Sequence, residues 1–198
     1  FKLMPGQLII LNENNIIKKN YLKFHFSDKK KNKNETRKII NDSIKKQLIS
    51  DVPTSLSLSG GVDSNIVYSV MRRNLDIKFN IYSFKFKDHE KFNEDFNVAK
   101  ENAKFYGNNF IPVEIESKDF IDNNENITQI LEEPLANQSS VLNYCMSKKI
   151  SEKVLMTGDG GDEIFTGYDR YRSIYITQFL QKINIFKNIR VKSKFKNI

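Results

Sequence analysis

The stretch that most restricts how this chain can fold runs from Ser55 to Asn65, SLSLSGGVDSN. Ser55, Leu56, Ser57 and Leu58 alternate small polar and apolar side chains, the period-two pattern of a short strand. The chain then breaks at Gly60-Gly61, and from Ser64 the residues Ile66, Val67, Val70 and Met71 follow a helical spacing. A strand that ends in a glycine pair at the mouth of a helix is an anion site in outline. Glycine lets the backbone turn and approach a ligand closely, and the helix start presents unpaired N–H groups with partial positive charge. Ser59 and Ser64 add hydroxyl donors, and Asp63 adds a carboxylate. A carboxylate beside a phosphate cradle repels the ligand unless a cation lies between them, so Asp63 implies magnesium. The kinase-type phosphate loop is excluded, because G-x-x-x-x-G-K-S/T does not occur.

A second stretch repeats the design. Val154 to Tyr171, VLMTGDGGDEIFTGYDRY, is again a short apolar strand running into glycines and acids. SGGVDS resembles the signature of the PP-loop ATP pyrophosphatases, which split ATP between the α and β phosphates. The second stretch resembles the asparagine synthetase branch of that superfamily, as do Ser50-Asp51-Val52-Pro53 and the run Glu132 to Ser140, EEPLANQSS. The resemblance covers roughly Leu3 to Tyr171. It implies an enzyme that converts ATP and aspartate to β-aspartyl-AMP and pyrophosphate, after which ammonia from glutamine displaces AMP to form asparagine. It implies Asp63 and Asp162 as magnesium ligands, and Asp63, Asp159 and Asp162 as the catalytic acids. It further implies nucleotide contacts from Leu58, Ser59, Gly60, Gly61, Asp63, Ser64, Phe84, Thr157 and Gly158. Small-molecule substrates are therefore the expected partners, and the expectation for the full-length protein extends to a homodimer.

This sequence departs from the family pattern in places. Lys85 stands where glycine is usual, which threatens to crowd the adenine edge. Asn137-Gln138 replaces a more usual Ala-Asp-Ser style run, which puts the acceptor in doubt. Thr166 replaces a glycine, and Asp159 stands where glutamate is common. Two other enzyme readings stay open: amidation of a glycan or peptide carboxylate, and PP-loop modification of tRNA. A nucleotide-binding regulator without turnover is a third.

The remaining features set limits. Net charge is +8, but the lysines are scattered rather than gathered into a stripe, so a nucleic-acid partner is not expected. No apolar run approaches the roughly 20 residues of a membrane helix. A single cysteine, Cys145, forms no internal disulfide and suits a cytoplasmic location. It sits in a helical apolar stripe, as a packed thiol rather than a nucleophile. His25 and His89 lack metal-ligand spacing and are expected at the surface.

Phe1 to Phe26 reads as a hairpin, with strands at Gln7–Leu11 and Ile16–Phe26 around a turn of Asn12 to Asn15. It resembles the closing strands of the glutaminase domain that precedes the synthetase domain in this family. Residues 27–34, SDKKKNKN, read as a linker, and residues 35–198 as the synthetase domain. The chain is expected to be a fragment, with the glutaminase nucleophile before it and a catalytic lysine after it; Lys182, Lys187 and the lysines at 192–196 match no motif. Within 35–198, helices with apolar spacing alternate with strands at Ile77–Phe86, Phe110–Ile115 and Val154–Thr157. A single helix is expected from a Ser117 cap through Leu131, and another over Ser139–Ile150. This alternation predicts an α/β fold: a parallel, doubly wound, Rossmann-like sheet with helices on both faces, preceded by the hairpin remnant. Ligands in such sheets sit beyond the carboxyl ends of the strands, where both glycine loops emerge.

Overall fold

The computed structural model describes residues 3–22, 32–75, 78–134 and 137–182. The chain divides into two compact units, Phe1–Ile39 and Ile40–Ile198. In the first unit, β1 (Gln7–Asn12) pairs antiparallel with β2 (Asn15–Asn20). Asn12 lies opposite Asn15, so Glu13 and Asn14 make a two-residue turn. Leu8, Leu11, Ile16 and Ile17 are exposed. The second strand ends at Asn20; residues 23–26, most of the 27–34 linker and His25 lie outside the described residues. Helix α1 (Lys33–Gln47) begins two residues earlier than Glu35, because Asn32 Oδ1 accepts the Glu35 N–H at 2.8 Å.

The second unit is built on a four-stranded parallel sheet in the order β5-β4-β3-β6. These are β3 (Thr54–Ser57), β4 (Asn80–Phe86), β5 (Asn109–Ile115) and β6 (Val154–Met156). Helices α2 (Val62–Asn74) and α3 (Glu94–Phe105) make the crossovers from β3 to β4 and from β4 to β5. Both cover one face, where Val67, Val70, Met71, Ala99 and Ala103 pack with Leu56, Leu58, Ile81, Met156 and Ile44 of α1. The chain then returns through α4 (Asp119–Asp122), α5 (Asn124–Leu131) and α6 (Ser139–Lys149) to β6. Helix α6 covers the opposite face, with Met146, Leu142 and Cys145 against Tyr82, Val113, Ile115 and Leu155. The sheet is therefore doubly wound, as its alternating elements predict. Its direction of travel reverses between β3 and β6, which is where ligands bind in open α/β sheets.

The helix expected over Ser117–Leu131 is two helices. Asn123 interrupts it, folding its amide onto the Asp119 carbonyl at 2.9 Å, a local bond that competes with continued helix. The Ser117 hydroxyl does not cap it; it lies 3.4 Å from His89 Nε2. Cys145 is half-buried in the α6 packing, and burial pushes its thiol pKa up, with Asp119 adding to the rise.

Candidate active site

The first loop leaves β3 at Leu58 and enters α2 at Val62. Gly60 adopts φ +83°, and a β-carbon there would collide with the Asp95 carbonyl at the start of α3. Glycine is therefore required by backbone conformation and by packing against α3. The hydroxyls of Ser59 and Ser64 lie 3.0 Å apart and form a closed chain. Gly61 N–H donates to Ser59 Oγ at 3.3 Å, and Ser64 Oγ donates to the Gly61 carbonyl at 3.1 Å. Ser59 N–H also donates to Ser64 Oγ at 3.2 Å. These hydroxyls hold the loop in shape, and both serine residues also line the cavity described below. The N–H groups of Val62, Asp63 and Ser64, in the first turn of α2, have no carbonyl one turn back within the helix, the condition under which a helix start can receive an anion.

The second loop leaves β6 at Thr157 and passes through α7 (Gly161–Phe165) to α8 (Asp169–Lys182). Two of its glycines are pressed onto the first loop. A β-carbon at Gly158 would stand 2.6 Å from the Ser64 amide nitrogen, and one at Gly161 would overlap the Asp63 carboxylate. Burial raises the Asp63 pKa above the usual carboxylate value, and repulsion from Asp162 and Glu163 raises it further. Tyr168 Oη donates to Glu163 Oε1 at 2.7 Å, which lowers the Glu163 pKa. Arg170 stacks its guanidinium over Tyr168 and Tyr171, at 4.4 and 5.3 Å from the ring centroids.

The two loops open onto one cavity of about 740 Å³. Its walls bring together Ser59, Gly61, Asp63, Ser64, Phe84, Thr157, Gly158, Asp159 and Asp162. Leu58 and Gly60 are not among them. Leu58 is fully buried in the core under α2, so the strand alternation turns Ser57, not Leu58, to the cavity. Asn143 and Met146 of α6, with Leu155, Glu163 and Tyr168, also line it. Neither Asn143 nor Met146 was among the candidate site residues of the sequence. A second cavity of about 710 Å³ lies beyond the ends of β4 and β5 and shares Asn137 and Ser139 with the first.

The family model for asparagine synthase matches residues 35–196. The chain belongs to the asparagine synthase family. It is 30% identical over 178 residues to the glutamine-hydrolyzing asparagine synthetase 1 of Bacillus subtilis (strain 168), covering 86% of this chain and 28% of that protein. It is 32% identical over 142 residues to the glutamine-hydrolyzing asparagine synthetase of Sandersonia aurantiaca, covering 67% of this chain and 27% of that protein. This chain thus spans under a third of the length of these relatives. Among solved structures, an NH3-dependent NAD synthetase from Campylobacter jejuni is similar at 18% identity and a TM-score of 0.37. The match covers 56% of this chain and 45% of that one; at that score the likeness carries no argument.

Two departures from the family pattern have structural readings. Lys85 lies on the opposite face of β4 from Phe84, alongside Glu114 at 4.0 Å, and takes no part in the cavity wall. It does not crowd the site. Thr166 ends α7 at φ +58°, a left-handed conformation that strains a β-branched residue and that glycine adopts freely. Among the described residues no three of His, Cys, Asp and Glu converge as a metal-binding set. Asp63 and Asp162 both line the cavity, and one or two carboxylates completed by phosphate oxygens are the donors magnesium usually takes with nucleotides. Asp63 and Asp162 are the pair whose mutual repulsion a cation would relieve.

Proposed function

We propose that this chain carries the ATP-cleaving site of an asparagine-forming ligase. In this reading ATP and aspartate yield β-aspartyl-AMP and pyrophosphate, and ammonia derived from glutamine by the longer protein then releases AMP. The observation that carries the reading is the contact of Gly158 and Gly161 with Ser64 and Asp63. It presses an anion-binding helix start and a carboxylate-bearing loop into one cavity at the switch point of the sheet.

The chain's own groups divide the work. First-turn N–H groups of α2 hold the leaving pyrophosphate, donors fixed in place before its charge develops. Asp63 and Asp162 hold magnesium, which when bound offsets the charge of the phosphates. Phe84, Met146 and Leu155 offer the nucleoside an apolar wall, as nucleotide sites commonly do. Thr157, Gly158 and Asp159 border the same cavity, where the nucleotide and the acyl group would meet. A second reading keeps the same adenylation and changes the acceptor to a glycan or peptide carboxylate, since Asn137, where the sequence departs from the family pattern, lines this cavity.

Pyrophosphate–ATP exchange, run with aspartate and with a panel of other carboxylic acids, tests both readings. Exchange dependent on aspartate supports the first, and exchange with another acid alone supports the second. Formation of ADP and phosphate in place of AMP and pyrophosphate would reject both.

A further inference from the structure

The anion loop is held from outside its own motif. Asn65, the last residue of SLSLSGGVDSN, donates its side-chain amide to the carbonyls of Gly60 and Gly61, both at 2.9 Å. Its Oδ1 accepts from Asn102 Nδ2, also at 2.9 Å, on the last turns of α3. Only one amide orientation satisfies this arrangement. Two carbonyl acceptors require the Asn65 nitrogen on the loop side, so its oxygen faces α3 and needs a donor there. Asn102 is that donor. Helix α3 also meets the loop at its other end, where the Asp95 carbonyl leaves no room for a β-carbon on Gly60.

The geometry points to Asn102 as a positioning residue for the anion loop, acting through the Asn65 amide. With both carbonyls bound to Asn65, neither Gly60 nor Gly61 turns its carbonyl oxygen against an incoming phosphate. The first-turn N–H groups of α2 then face the anion without competition. This role in substrate binding rests on the pyrophosphate-releasing reading above, whereas the restraint on the loop does not.

Asn102→Ala removes the donor and leaves Asn65 free to turn. Asn102→Asp does more, because a carboxylate attracts the Asn65 nitrogen away from the loop and sets its oxygen against the two carbonyls. Inorganic pyrophosphate with magnesium is the binding probe, and hydrogen exchange over residues 57–66 is the probe of the loop. For loss of one hydrogen bond, pyrophosphate binding should weaken about threefold in Asn102→Ala and about tenfold in Asn102→Asp. Exchange should rise in 57–66 ahead of α3. In an Asn65→Ala background, either change at Asn102 should have no further effect. Unchanged exchange in 57–66, or an equal rise along all of α3, overturns the inference, since the latter is simple helix loosening. Failure of the parent protein to bind pyrophosphate would count against the proposed function, and the exchange measurement would still decide the role of Asn102.

Discussion

The loop after β3 and the loop after β6 share a cavity but differ in how they are held. In the first, the Ser59 and Ser64 hydroxyls, the Asn65 amide and the α3 backbone fix the turn, and Ser64 is buried. In the second, Asp159 and Glu163 are exposed, α7 spans five residues, and Thr166 sits in a conformation that disfavours its side chain. The first loop is a cradle already formed, as a site that must hold developing charge without reorganising requires. The second supplies Asp159, Asp162 and Glu163, against the single Asp63 of the first, and its Gly158 and Gly161 press onto the first loop. The preformed shape thus belongs to the first segment, and most of the charge to the second.

Removing the charge is the strongest way to break that division. Asp162→Asn and Asp63→Asn should each lower AMP and pyrophosphate formation by about a hundredfold or more, since a bound metal supplies several kcal/mol of transition-state stabilisation. Normal turnover by Asp162→Asn would mean that the loops serve separate sites. Gly158→Ala tests the contact itself. Its β-carbon meets the Ser64 amide nitrogen, which belongs to backbone and yields little, so the change should cost about 1–3 kcal/mol. Urea denaturation reads that loss, and weaker magnesium–pyrophosphate binding should accompany it.

Thr166→Gly sharpens the contrast in the opposite direction. Relief of the left-handed threonine should stabilise the protein by about 0.5–1 kcal/mol, net of the added freedom of the unfolded chain. No gain in a urea midpoint would show that the second loop is unstrained. The smallest effect is a pH dependence. Asp63 has a raised pKa in the folded chain, so its contribution to stability is fully present below the ordinary aspartate value of 3.8 and is lost as pH rises through the raised value. Without a cation, Asp63→Asn should therefore raise the thermal midpoint slightly at neutral pH. The gain should vanish near pH 3.8 and shrink when magnesium and pyrophosphate are added. A gain that persists undiminished in acid would point to packing rather than charge.

Much of the fold is legible in local pattern. The alternation at Ser55–Leu58 and the apolar spacing at Phe96, Ala99 and Ala103 respectively mark a strand and a helix wherever they occur. The run DNNEN at 122–126 is poor helix material, but its sequence does not say where the break falls; that depends on the Asn123 amide choosing a carbonyl of its own turn over solvent. In the site, acids and glycines announced themselves by chemistry. The clasp between Ser59 and Ser64 and the packing of Gly60 on Asp95 did not, since a hydroxyl beside a glycine pair reads equally as a ligand donor or as a loop clasp.

The sequence alone determined two anion-type loops, each at the carboxyl end of a strand, because turn and helix-start propensities are set by neighbouring residues. It also determined that Ser57 and Leu58 face opposite ways, since side chains in a strand alternate. Only the tertiary structure decided which of the two faces the cavity. That depends on α2 and α3 packing on the side of Leu58, while α6 leaves room on the other. It likewise set Lys85 away from the cavity and brought Gly158 and Gly161 onto Ser64 and Asp63. It also tied Asn65 to Asn102. Such contacts join segments far apart in the chain, and they exist only once the buried faces of the helices have closed on the sheet.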